Sequence, residues 1–139
     1  MADKLTAPVR SALMGRVRNK NTAPETAVRR VLHAMGYRFR LHGKALPGTP
    51  DIVLARHRTA VMVHGCFWHG HEGCRRAKLP ETRREFWESK IDRNMARDAA
   101  AVAELEKLGW RPLVIWECEL KDGDALRRRL KSHFEGVTD

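Results

Sequence analysis

Eleven consecutive residues, His64-Gly-Cys-Phe-Trp-His-Gly-His-Glu-Gly-Cys74, gather two thiols, three imidazoles and two adjacent large aromatics. No ordinary core needs that mixture. Cys66 and Cys74 flank His69 and His71, and the remaining thiol, Cys118, stands far along the chain in a Trp-Glu-Cys-Glu segment. Three sulfurs with one imidazole complete a tetrahedral zinc set. Spacing alone leaves the imidazole open between His69 and His71. A disulfide with one cysteine left over, or cysteines acting as small buried hydrophobes, explains an odd thiol count interleaved with histidine less well.

The rest of the chain bounds what that loop can belong to. At 139 residues, 42% of them apolar, it is long enough for one domain with a real core. No apolar run approaches a bilayer span, and the opening MADKLTAPVRSAL lacks the apolar stretch of a signal peptide. The expectation is a cytoplasmic protein without a membrane role, its thiols reduced and free for metal. Lysine and arginine number 27 against 17 acidic residues, a formal charge of +10 that favours a polyanion, most commonly nucleic acid.

Residues 1–21 carry Lys4, Arg10, Arg16, Arg18 and Lys20 with few large apolar groups, and read as a basic DNA-binding arm. Residues 22–139 then read as a single domain. Thr22-Ala-Pro-Glu25 opens a helix with Thr22 as N-cap, Pro24 in the first turn and Glu25 placed for a capping box. Val28, Val31, Leu32 and Met35 follow at helical spacing until Gly36. Tyr37, Phe39 and Leu41 alternate with arginines, predicting a strand. Asp51–Ala55 and Ala60–His64 predict an antiparallel pair, which brings Asp51, at the start of one strand, beside His64, at the end of the other. A helix is expected over Thr82–Leu108, with Ile91, Met95, Val102 and Leu105 on one face. A buried strand over Trp110–Trp116 and a basic C-terminal helix around Leu126 and Leu130 complete the reading.

A carboxylate after Pro50 at the mouth of a strand pair suits a hard cation such as magnesium. Hydrolysis of a phosphodiester needs a charge clamp, an activated water and help for the leaving oxygen. Asp51 supplies a ligand for the clamp, and His64 and His69 titrate in the right range to handle the water's proton. Glu25 serves either as a helix cap or as a second acidic group near the cation. Phe67 and Trp68, adjacent on a short loop, suit stacking on bases or wedging between base pairs, and Trp87 is placed to join them.

HGCFWHGHEGC, preceded by LPGTPDIVL and followed by EFWESKI, RNMARD and LGWRPLVIWECEL, resembles the very-short-patch-repair (Vsr) family of DNA mismatch endonucleases from about residue 10 to residue 120. The resemblance implies a restriction-endonuclease-like α/β core, a central mixed β-sheet flanked by helices, with a structural zinc. It also implies nicking of one strand 5′ of the thymine in a T:G mismatch left by deamination of 5-methylcytosine. By the same resemblance Asp51 binds Mg2+ together with the carbonyl of Val63, His69 is the general base, His64 assists at the phosphate or leaving group, and Glu25 holds a metal-bound water. Zinc falls to Cys66, His71, Cys74 and Cys118, and Phe67, Trp68 and Trp87 enter the duplex. A MutL-type factor and a repair polymerase are implied as partners; a monomer is expected because a single nick needs one active site.

Two features depart from the family's pattern, and a third from the usual restriction-type site. Cys74 stands one residue farther from His71, position 63 is Val in place of Thr, and the Glu-x-Lys half of a restriction-type site is missing from Ala60–His64, so that the two histidines replace its lysine. Two other functions compete with mismatch nicking. One is a restriction-type nuclease cutting unmismatched DNA; the other is a non-catalytic zinc-containing DNA-binding module in which Asp51 and Glu25 are only turn and cap residues.

Overall fold

The computed structural model describes residues 22–135; the basic arm expected over 1–21 lies outside them. Helix α1 (Ala23–Ala34) starts where the cap signal placed it, with the Thr22 hydroxyl accepting from the Glu25 N–H at 3.3 Å. Strands β1 (Arg40–Leu41), β2 (Ile52–Leu54) and β3 (Thr59–His64) follow, then the long α2 (Arg84–Lys107), β4 (Arg111–Trp116) and α3 (Gly123–Glu135). The four strands form one sheet in the order β1-β2-β3-β4. β1, β2 and β3 pair antiparallel, whereas β3 and β4 run parallel. A parallel neighbour requires a crossover, and α2 is that crossover.

Alternation along the strands decides which helix each side chain meets. Ile52, Leu54, Val61, Leu113 and Ile115 point to one face, where they pack with Val28 and Leu32 of α1 and Leu126, Leu130 and Phe134 of α3. Ala60, Met62 and Val114 point to the other, against Val102 and Leu105 of α2. Each fully buried Leu or Ile on these faces contributes roughly 1.5–3 kcal/mol by leaving water. The period of two carries one step further. His64 shares parity with Ala60 and Met62, and therefore ends β3 on the α2 side.

The elements depart from the sequence expectation at several places. The strand expected over Tyr37–Leu41 pairs only at Arg40 and Leu41, because β2 is three residues long and His42 turns the chain with a φ of 52°. Tyr37 and Phe39 still pack against the core. Ala55 leaves the sheet for a 3-10 turn (Ala55–His57), and the long helix starts at Arg84 after a left-handed Arg83. On that helix Ile91 and Leu105 are buried as expected, but Met95 is 43% exposed. Among the described residues no helix is long and apolar enough to cross a membrane.

Candidate active site and metal centre

The loop after β3 folds back on itself in successive tight turns, with the His69 N–H donating to the Gly65 carbonyl and the His71 N–H to that of Cys66. α2 holds it from one side: Asn94 Nδ2 donates to the Trp68 carbonyl at 2.9 Å. Gly70 lies so close to that helix that a Cβ there would stand 2.7 Å from Met95 Sδ and 2.8 Å from Ile91 Cγ2. The turn itself requires a φ of 60° at Gly70, a conformation that glycine adopts without strain.

Folding in this way sorts the loop's ligands into two groups. Cys66, His71, Cys74 and Cys118 bring one donor atom each within 4.8 Å of one another, a cluster able to hold a metal ion. All three thiols are free, so no disulfide forms. Cys118 arrives from the 3-10 turn (Glu117–Lys121) after β4, and its Sγ lies 3.5 Å from His71 Nδ1. The His71 ring stacks on Trp116 with centroids 4.0 Å apart, which sets its orientation. Burial pushes the Cys66 thiol up to about 12; the backbone of Cys118 opposes the rise by hydrogen bonding, while the Cys118 and Cys74 side chains add to it. A bound cation is what would let the buried Cys66 ionise, and three thiolates with an imidazole fit a soft tetrahedral ion.

His69 falls outside that cluster. Its Nδ1 lies 2.6 Å from Asp98 Oδ2 on α2, and its ring stacks on His64 with centroids 3.8 Å apart and planes at 4°. His64 Nε2 is 3.9 Å from the other oxygen of Asp98. Burial, reinforced by His69 alongside, holds His64 down at about 4 against the opposing pull of Asp98. His64 is therefore a neutral imidazole at neutral pH. The Asp98 carboxylate accepts the Nδ1 proton of His69, which leaves the Nε2 lone pair of His69 free to take a proton from elsewhere.

Across the sheet, Asp51 Oδ2 accepts from the Val63 N–H at 2.7 Å, next to His64. Burial raises the Asp51 carboxyl to about 7; the Val63 hydrogen bond opposes the rise, and the Glu25 carboxylate beside it adds to it. Glu25, 1% exposed, is paired with Arg29, and its Oε2 lies 3.1 Å from His42 Nε2. The half-buried Asp51 carboxyl and the buried Glu25 carboxyl lie close enough to interact, an arrangement that suits a hard divalent cation. Phe67, Trp68 and Trp87 come together edge to face with centroids 5.2–5.9 Å apart; the first two are half-buried and Trp87 is 4% exposed.

A family model described as "DNA mismatch endonuclease Vsr" matches residues 2–76, which include Glu25, Asp51 and the whole loop. The chain belongs to the Vsr family. Its sequence is 54% identical over 132 residues to "Type II nicking enzyme V.XorIIP" of Xanthomonas oryzae pv. oryzae, covering 95% of this chain and 96% of that protein. It is 40% identical over 139 residues to "DNA mismatch endonuclease Vsr" of Escherichia coli, covering all of this chain and 85% of that one. Among solved structures, the catalytic domain of the homing endonuclease I-Bth0305I matches 83% of this chain and 96% of its own length with a TM-score of 0.60. At 21% identity that likeness bears on the fold alone, which is restriction-endonuclease-like.

As a Vsr-type DNA endonuclease, the chain has DNA as its substrate. Sequence reasoning missed Asp98, His42 and Trp116 around the site. For Asp98 a signal existed: Ile91, Asp98 and Leu105 recur every seven residues, so a carboxylate interrupts the stripe that faces the sheet. His42 and Trp116 carry no such mark.

Proposed function

We propose that this endonuclease nicks one strand of duplex DNA on the 5′ side of the thymine in a T:G mismatch arising from 5-methylcytosine deamination, with Mg2+ as the catalytic ion. The observation that carries the reading is the convergence of a hydrogen-bonded Asp98–His69 pair, a neutral His64 and the Asp51–Val63 edge at one end of β3. A DNA-binding module has no need of an oriented imidazole next to a cation site.

Asp51 and the Val63 carbonyl would hold Mg2+, which supplies charge neutralisation at the scissile phosphate when bound. Glu25 would hold a water on that ion. His69, its Nδ1 proton fixed on Asp98, accepts the attacking water's proton at Nε2. His64, uncharged and donating through an N–H, assists at the phosphate or leaving oxygen. Zn2+ would be held by Cys66, His71, Cys74 and Cys118, a full set of four protein ligands that would leave it a structural role. Phe67, Trp68 and Trp87 are proposed to enter the duplex, where opening a base step costs about a few kcal/mol and least at a mismatch. The basic arm of residues 1–21, a monomeric state and action alongside a MutL-type factor and a repair polymerase complete the proposal.

The test compares a T:G duplex with its paired control in Mg2+, reading each strand separately. Selective nicking 5′ of the thymine, lost in Asp51→Ala, is expected. Equal cutting of both duplexes would overturn the mismatch reading, and double-strand breaks in paired DNA would favour a restriction-type nuclease.

A further inference from the structure

We infer that His64, His69 and Asp98 form a second metal site, selective for a borderline ion such as Zn2+ or Co2+ over Mg2+, whose occupation switches the nuclease off. The inhibitory half of this inference rests on the role proposed above for His69. One ligand atom from each of the three residues lies within 4.8 Å of the others. His69 Nδ1 is 2.6 Å from one oxygen of Asp98, and His64 Nε2 is 3.9 Å from the other. Two imidazoles and a carboxylate are a ligand set for zinc and related ions, whose bonds to N and O run at about 2.0–2.2 Å. Donors on one such ion stand about 3 Å apart, so His64 would draw in and the His69–Asp98 pair would open slightly to admit the ion.

The three donors sit on different supports, the end of β3, the loop after it and the middle of α2, and packing holds each in place. Side-chain exposures of 9% for His64 and 27% for both His69 and Asp98 leave an open approach. A metal arriving there binds His69 Nδ1 in place of the proton shared with Asp98, and His69 stays a neutral imidazole by carrying that proton on Nε2 instead. Nε2 is then an N–H donor with no lone pair left to accept the attacking water's proton. Mg2+ competes poorly for this position, because it favours an octahedral shell of oxygens and retains its waters. The oxygen-lined edge at Asp51 and the nitrogen-rich trio at Asp98 would thus sort two kinds of ion a short distance apart.

Cobalt makes both sites visible. Titration of Co2+ into the full chain in the presence of Mg2+ should show one equivalent with thiolate-to-cobalt charge transfer and a further equivalent without it. Filling the latter should lower T:G nicking by about 10²-fold, the scale of a general base, with activity restored by a weak chelator that leaves the thiolate-bound ion in place. Asp98→Asn and His64→Gln should each lose the second equivalent and keep the thiolate band, which also reports that they have folded. A wild-type protein with no equivalent beyond the thiolate-bound one, a second equivalent retained in both variants, or full nicking with the second site loaded would overturn the inference. Selective nicking without a second site would remove this inference and leave the proposed function. A second site in a protein that cuts paired and mismatched duplexes alike would do the reverse.

Discussion

Asp98 and His69, 29 residues apart, meet at 2.6 Å across the space between α2 and the loop that follows β3. A carboxylate on Nδ1 fixes the tautomer and the direction of the ring, so Asp98 acts as a positioning residue for whatever Nε2 touches. Asp98→Asn should lower kcat for nicking by about 10²-fold and leave KM for duplex DNA nearly unchanged. A rise in KM matching the loss in kcat, together with an equal loss of protein stability, would reduce Asp98 to a packing role.

Gly70 connects the two metal-ligating groups and lies against Ile91 and Met95 in a left-handed conformation. In Gly70→Ala the new methyl meets those side chains and the backbone itself becomes strained, by about 1–2 kcal/mol. The loop should lift from α2, weakening the Asp98–His69 pair more than the core. Expected are a modest drop in Tm and a much larger loss of nicking; a variant as active as the parent would show that the loop's seat on α2 is unimportant to catalysis.

His133 on α3 lies 3.1 Å from the Thr59 hydroxyl, and its carbonyl accepts from Arg111 at 2.9 Å. Burial, followed by the charges of Arg111 and Arg129, lowers it from 6.5 to about 4. The unfolded chain thus takes up this proton near pH 6.5 and the folded chain only near pH 4. Stability from the neutral ring is complete above pH 6.5 and declines as pH falls toward 4. His133→Asn should flatten that part of a denaturation-versus-pH curve. Parallel curves for parent and variant between pH 6.5 and 4 would contradict the assignment.

Cys118 is the candidate ligand that would tie the loop to the end of β4, since Cys66, His71 and Cys74 all belong to the loop segment itself. Stripping metal with a strong chelator should lower Tm by roughly 5–10 °C, equivalent to a few kcal/mol for a domain of this size. Cys118→Ala should cause a similar drop, and the chelator should then have little further effect. Additive losses would mean that Cys118 stabilises the fold without sharing a metal.

Much of this architecture was legible before folding because it is local. The Thr22 cap, the helical spacing of Val28 and Leu32, and the apolar runs of β2 and β3 each depend on near neighbours in the chain. The ligand-rich loop announced metal, and the pairing of β2 with β3 brought Asp51 next to Val63 as the two strand ends required. What local pattern could not decide was the division of the loop's histidines. His69 and His71 are two residues apart and chemically identical, yet one stacks on His64 beside Asp98 and the other on Trp116 beside Cys118. Their partners arrive from α2 and from the turn after β4, brought in by the parallel crossover that closes the sheet. Composition determined that this chain would bring thiols and imidazoles together and carry the charge to meet a polyanion; only the packing of α2 across β3 decided which imidazole is set beside a carboxylate and which beside the thiols, because a side chain's role follows from the groups that tertiary structure sets against it.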